Sequence, residues 1–327
     1  MAYRLSALTA LGIFGAGLGA VQAQTPTYPS KPITLIIPAA PGGVTDILGR
    51  VLAQRLGEAW GQQTIVEHKP GANNQIAAEF LAKSPPDGHT LMIGPEVTFV
   101  ANPSLYAKLP YDVNKDFTPV VGLVIINHAL IVHPSLPVQN VKELIDYAKK
   151  KPGELNYGTY GVGSTGHLNM ELFQSLTGTK MVAVHYRGAT PALTDVMAGH
   201  IQLMFISAGS ALPPAQAGNV KLLAVGADKR MPLLPEIPTV AESAGLPGYR
   251  AVSWFGLFAP GGTPRPIVDK INAEVRRTLD DPAVRKSVID PQLFEPIAGT
   301  PEQLADFIKS ESVKWSKVIR DVNIKGE

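Results

Sequence analysis

From Ile33 onward two patterns of apolar residues alternate along the chain. One is a short continuous run, as in Ile33 to Pro38, Leu91 to Ile93 and Lys221 to Val225. The other places an apolar residue every three or four positions. In Val44 to Trp60, for example, Ile47, Leu48, Val51, Leu52 and Leu56 share one helical face. The first pattern predicts buried strands and the second amphipathic helices. The series continues with a strand over Thr64 to Glu67, a helix over Gln75 to Lys83 and the strand Leu91 to Ile93. Repeated strand–helix–strand units of this kind predict a mostly parallel sheet covered on both faces.

A second series of the same kind follows. It predicts strands at Leu155 to Tyr157, Met181 to Val184, Ile201 to Ile206 and Lys221 to Val225. Helices are expected between them at His167 to Leu176, Pro191 to Ala198 and Ala211 to Ala217. Between the two series, Val120 to His133 is a long apolar stretch without a helical break, read as a strand crossing between domains. Ser253 to Ala259 is the candidate return crossing. Asn140 with Glu143, Thr263-Pro264, and Thr300 with Gln303 are helix-opening devices, expected to start helices ending near Lys151, Leu279 and Ile319. Asp228 to Gly248, rich in Pro and Gly, reads as irregular surface. The implied fold class is α/β in two lobes, with residues 24–124 plus 252–327 forming the first and 125–251 the second.

Composition adds an address. Arg4, the apolar stretch Leu5 to Ala20 and the small-residue site Val21-Gln22-Ala23 make residues 1–23 a signal peptide, with cleavage near Ala23 and a periplasmic product. The 327 residues are 45% hydrophobic and 17% charged, ordinary globular material. There is no cysteine, hence no disulfide framework and no acylated-cysteine anchor. Without the signal peptide and its Arg4, 28 basic residues face 27 acidic ones, a balance that does not suggest a nucleic-acid surface. No later segment is apolar enough to span a membrane, and a monomer is expected.

The chemistry concentrates in two turns. Pro41-Gly42-Gly43-Val44-Thr45-Asp46 joins an apolar strand to a helix. Such a turn aims backbone N–H groups and the positive end of a helix dipole at one point, which makes an anion site. Gly42 and Gly43 permit close approach, Thr45 offers a hydroxyl and Asp46 can cap the helix. No Gly-Lys-Ser/Thr follows, so it is not a Walker loop. A plain strand-to-helix turn is the simpler alternative.

The second turn, Gly161-Val162-Gly163-Ser164-Thr165-Gly166, is a literal G-x-G-x-x-G. The acidic residue that a dinucleotide site needs about 20 positions on is absent, because the next strand ends Val184-His185-Tyr186-Arg187. A second anion cradle fits better, with hydroxyls from Ser164 and Thr165 and an imidazole from His167, whose simpler role is helix capping. Arg187 is either an anion contact or a solvated side chain. Thr98, within Pro95 to Phe99, and Ser207 fall at strand ends and are candidate cleft walls.

The histidines are scattered, with no H-E-x-x-H pair, and there is no G-x-S-x-G element, so neither a metal site nor a serine hydrolase has local support. No cofactor is called for. The residues read as a non-enzymatic site for a small carboxylate. An exported enzyme using Ser164 and His167, and a sensing partner for a membrane kinase, are the alternatives.

Several further motifs, in order along the chain, carry a resemblance. They are Tyr28-Pro29-Ser30-Lys31-Pro32-Ile33, Ala40-Pro41-Gly42-Gly43 with Asp46, Asn102-Pro103-Ser104-Leu105-Tyr106, and Leu109-Pro110-Tyr111-Asp112 before Asp116-Phe117-Thr118-Pro119-Val120. Asn156-Tyr157-Gly158 with Gly163, Ser164 and His167, Tyr186-Arg187-Gly188, Pro238-Thr239-Val240-Ala241-Glu242 and Ser253-Trp254-Phe255-Gly256-Leu257 complete the set.

Together they resemble the Bug-type periplasmic solute-binding proteins of tripartite tricarboxylate transporters. The resemblance implies a Venus-flytrap fold whose two lobes close on a carboxylated solute and deliver it to membrane transporter components. It also implies that Pro41 through Asp46, and Gly163, Ser164, Thr165 and His167, cradle the ligand carboxylates. Many relatives have an acidic residue where this chain has Ser207, which turns the expectation away from amino acids and toward dicarboxylates or aromatic acids.

Overall fold

The computed structural model describes residues 28–326, so the expected signal peptide, residues 1–23, lies outside the described residues. Ten strands form one continuous network. They are β1 (Ile33–Ile37), β2 (Thr64–His68), β3 (Thr90–Pro95), β4 (Phe117–Val132), β5 (Asn156–Thr159), β6 (Val182–His185), β7 (Leu203–Ser207), β8 (Lys221–Val225), β9 (Val252–Pro260) and β10 (Phe294–Pro296). The helices of the first lobe are α1 (Val44–Trp60), α2 (Gln75–Ala82) and α3 (Asn102–Leu105). Those of the second are α4 (Val141–Lys150), α5 (Thr165–Thr177), α6 (Ala189–Met197), α7 (Ala208–Gln216) and α8 (Val240–Ala244). The chain then returns to the first lobe with α9 (Arg265–Asp280), α10 (Pro282–Val284) and α11 (Pro301–Asp321).

The two lobes repeat one plan. In the first, β1 lies between β2 and β3 and is parallel to both, and β3 pairs antiparallel with β9. In the second, β5 lies between β6 and β7, parallel to both, and β7 pairs antiparallel with the end of β4. β4 is therefore shared. From Phe117 to Asn127 it pairs with β9, and from His128 to Val132 with β7 and β8. The long apolar run crosses between lobes as its lack of helical breaks predicts. The short β10 joins it at Val124 to Ile126. Each sheet is thus a parallel trio edged by antiparallel crossing strands.

Each sheet is covered on both faces. In the first lobe Leu48, Leu52 and Leu56 of α1 pack with Ile271 and Val275 of α9 over Ile33, Leu35 and Ile37. Gly49 lets α1 lie close: a Cβ there would come 2.6 Å from Ile37 Cδ1. Gly61, with φ 66, ends the helix in the left-handed region. The opposite face holds Phe99, Phe258, Trp254 and Trp315, and Phe99 stacks on Phe258 with centroids 3.8 Å apart. Leu168 of α5 belongs to this same cluster, so the lobes share apolar contact.

The helix starts are built largely from the expected devices. Asn140 accepts from Glu143 N at 2.9 Å. Thr300 and Gln303 bond reciprocally at the start of α11. Thr300→Ala should lower the unfolding free energy by about 1 kcal/mol, readable as a shifted denaturant midpoint at constant slope. Two local expectations change. The Thr263 hydroxyl donates to Pro260 O at 2.7 Å instead of capping α9, which begins at Arg265. The stretch Asp228 to Gly248 contains α8, opened by a capping box between Thr239 and Glu242.

Candidate functional site

The two sequence-predicted turns occupy equivalent places. Each follows the central parallel strand of its lobe, β1 or β5, and opens a long helix, α1 or α5. In open α/β sheets this switch point, outside the C-terminal strand ends, is where ligands bind. The equivalence extends to single residues. Asp46 and His167 both sit in the first helical turn, and both accept from a glycine N–H four residues earlier. Gly42 N donates to Asp46 Oδ2 at 2.9 Å, and Gly163 N donates to His167 Nδ1 at 3.1 Å. Both then face a histidine ending the neighbouring strand. His68 Nε2 lies 3.1 Å from Asp46 Oδ1, and the His167 and His185 rings meet edge-on at 5.0 Å. Asp46 and His167 therefore hold their turns in shape.

The electrostatics of the two turns differ. Burial pushes the Asp46 carboxyl up, but the Gly42 N–H, the Arg50 guanidinium at 3.0 Å and His68 outweigh it and hold it below the usual aspartate range. The His68 contact is out of line for a hydrogen bond, which leaves Oδ1 without a hydrogen-bond partner. Its other ring nitrogen lies 2.9 Å from Ala39 O. His167 is pushed down to about 4 by burial, with His185 adding to it, so its imidazole is neutral at ordinary pH. With Nδ1 accepting, its proton sits on Nε2.

Neither helix is capped by its N-cap side chain, although at α5 the buried Tyr160 hydroxyl is bonded to the Gly166 N–H. Gly43 caps α1 with φ −84 and ψ 176 and has no side chain to offer. Ser164 caps α5 without a capping bond from its hydroxyl. The first-turn N–H groups of an uncapped helix are ready donors for an anion. Pro41, Gly42 and Gly43 are exposed, Val44 is partly exposed, and Thr45 is buried. A Cβ on Gly43 would meet only Ala40 O, at 3.9 Å, so the backbone there stands open.

The second turn is buried against the first lobe. Gly163 has φ +71, and a Cβ there would lie 2.5 Å from Leu105 Cδ1 and 3.6 Å from Asn73 Nδ2. Asn73 donates to Asn102 Oδ1 at 2.8 Å, Asn102 reaches the Tyr111 hydroxyl at 3.1 Å, and that hydroxyl donates to Thr98 O at 3.0 Å. This chain ties the 73–111 region of the first lobe into a wall facing Gly163. The Ser164 Oγ and Thr98 Oγ1 atoms are buried with no partner. An unpaired buried hydroxyl costs about 1–3 kcal/mol.

The other expected residues divide. The Thr165 hydroxyl is already engaged, donating to Glu96 across the lobe boundary. Ser207 caps α7, donating to Ser210 Oγ at 2.7 Å. Arg187 is exposed just past β6.

Two residues escaped sequence reasoning. Asn169, one turn into α5, is fully buried with Oδ1 unpartnered, and its amide nitrogen lies 3.4 Å from His128 Nδ1. Glu96 follows an apolar strand and would ordinarily be drawn in solvent, yet it is 3% exposed. The pairing of the two turns, read from the sequence, has a further mark in the equal glycine-plus-four spacing of Gly42–Asp46 and Gly163–His167. Among the described residues no group of His, Asp and Glu side chains forms a metal site. No described helix is long and apolar enough to cross a membrane.

Known proteins are similar to this chain over most of its length. Residues 48–324 match the family described as the tripartite tricarboxylate transporter family receptor, TctC, so the second turn lies within the match and the first turn just before it. The chain is 34% identical over 320 residues to protein BugT of Bordetella pertussis, covering 97% of this chain and 98% of that protein. Among solved structures it is similar to a Rhodopseudomonas palustris protein determined with adipate, at 38% identity, 91% of this chain and 99% of that one, with a TM-score of 0.85. It is also similar to MatC of the same organism with bound malate, at 34% identity, 89% and 100% coverage, and a TM-score of 0.80. The chain belongs to the TctC family of solute-binding receptors, and its two-lobed α/β fold is that of the family's periplasmic binding proteins.

Proposed function

We propose that this chain captures a small dicarboxylate or aromatic carboxylate between its lobes, in the periplasm, and presents it to the membrane components of a tripartite transporter. The observation that carries the reading is the pair of uncapped helix N-termini, one per lobe, each at the switch point of its sheet. Each supplies backbone donors for one carboxylate without a fixed cation. The unpaired Ser164 and Thr98 hydroxyls are further candidate donors. Adipate and malate, held by two similar proteins, both carry a carboxylate at each end. A ligand touching both lobes favours the closed form by its differential affinity for it. The Ser164–His167 enzyme reading is weakened, because His167 Nδ1 already accepts from Gly163 N.

The test is a thermal-shift screen of the purified chain against aliphatic dicarboxylates, aromatic acids, tricarboxylates and amino acids. An acid present at 100 times its Kd should add about 2.7 kcal/mol and raise Tm by several degrees. Amino acids should give no shift. A shift with amino acids alone would sink the reading. Delivery is tested separately: transporter membranes should retain the acid-loaded chain better than the acid-free one.

A further inference from the structure

Glu96 is the first residue after β3, and its side chain is buried where the two lobes meet. One carboxyl oxygen accepts from the Thr165 hydroxyl at the start of α5, in the second lobe. The other accepts from Trp254 N at 3.3 Å, on β9 of the first. One carboxyl group thus joins both lobes at the foot of a proposed ligand helix. The titratable groups acting around it are Tyr160, from the β5–α5 turn, and Glu311, from α11. The Tyr160 ring covers Gly166, where a Cβ would lie 2.6 Å from its Cε1, and Glu311 is tied to Trp315 Nε1 at 3.3 Å. Neither neighbour is cationic. Burial pushes the Glu96 carboxyl up to about 7, against the hydrogen bonds from Thr165 and Trp254, and Glu311 pushes the same way.

We infer that Glu96 is a proton-linked latch: the lobes close on an anionic solute with this carboxyl neutral, so that binding takes up a proton. The inference rests on the carboxylate reading for its ligand. A carboxylate held at the N-terminus of α5 and an ionised Glu96 beside Thr165 would be two anions on one helix end, and each opposes the other. When the lobes part, Glu96 meets water and returns toward its ordinary value of 4.5. Between that value and about 7 the closed form holds the extra proton. Affinity is therefore highest on the acid side, falls as pH rises through this window, and levels off above about 7.

The test has two arms. In calorimetry with adipate, the wild-type chain should bind about tenfold more weakly at pH 8 than at pH 6. At pH 6, buffers of different ionisation enthalpy should report close to one proton taken up per adipate bound. Glu96→Gln, neutral at every pH, should lose both effects. In the ligand-free arm, small-angle scattering should show the wild-type chain more open at pH 8 than at pH 6 and Glu96→Gln unchanged. Adipate binding without a pH difference or proton uptake overturns the latch and leaves the carboxylate reading standing. If no carboxylate binds at either pH, that reading falls and the scattering arm alone decides whether Glu96 closes the lobes. Equal wild-type scattering at both pH values then overturns the latch.

Discussion

Gly43→Leu is expected to weaken carboxylate binding by about 100-fold, a loss of about 2.7 kcal/mol, while leaving the fold intact. The two halves of that expectation have separate grounds. Gly43 caps α1 in extended backbone, φ −84 and ψ 176, which any residue adopts. An added Cβ would meet nothing closer than Ala40 O at 3.9 Å. The protein itself therefore tolerates the side chain. An isobutyl group over the open N–H groups of α1 would, however, keep a carboxylate out of hydrogen-bond range. Gly42 is the contrasting position, because its φ of +90 disfavours any side chain. Calorimetry and a melting curve on the same Gly43→Leu sample check both halves. Undiminished affinity would remove α1 from the site.

The second large effect is on stability. Asp46→Ala should lower the unfolding free energy by about 3 kcal/mol and loosen the first turn with it. Removing one partner of a buried polar cluster leaves the others uncompensated. Here Gly42 N loses its acceptor, while Arg50 and His68 lose the charge they face. The loss falls at the low end for a buried pair because Arg50 is largely exposed. The pH profile carries a sign. Asp46 is held below the usual aspartate value of 3.8, so its contribution is fully present above that value and is lost as pH falls through the lowered one. Chemical denaturation of wild type and Asp46→Asn across pH 3 to 7 should show the difference between them shrinking toward the acid end. A constant difference would mean that the carboxylate charge is not what holds the turn.

Periodic segments were legible in the sequence, and contacts between distant segments were not. Ile47, Leu48, Leu52 and Leu56 recur at helical spacing, and α1 runs over Val44–Trp60 as that spacing predicts. The unbroken run from Val120 to His133 gave the crossing strand, although β4 begins earlier, at Phe117, because Pro119 and its neighbours pair with Phe258 to Pro260. β10 has only three residues, too few for a period, and exists because β4 offers it an edge. α8 was hidden by the Pro and Gly around it, although Thr239 and Glu242 form a capping box.

The site shows the same division. Glycines after an apolar strand announced both turns. Which polar groups remain free depends on partners far away in sequence: Glu96 takes the Thr165 hydroxyl from 69 positions off, and Ser207 turns to its own helix. The burial of Glu96 beside Trp254, 158 positions on, has no local signature at all.

Each lobe is expected to hold one carboxylate at the N-terminus of the helix that follows its central parallel strand, α1 after β1 and α5 after β5. The most direct measurement is calorimetric titration with the dicarboxylate that gives the largest thermal shift, side by side with its monomethyl ester. The ester keeps the size and carbon chain and removes one charge. The account predicts that the diacid binds and that the ester binds about 100-fold more weakly, because one helix N-terminus is left without its anion. Equal affinity for diacid and ester would contradict it.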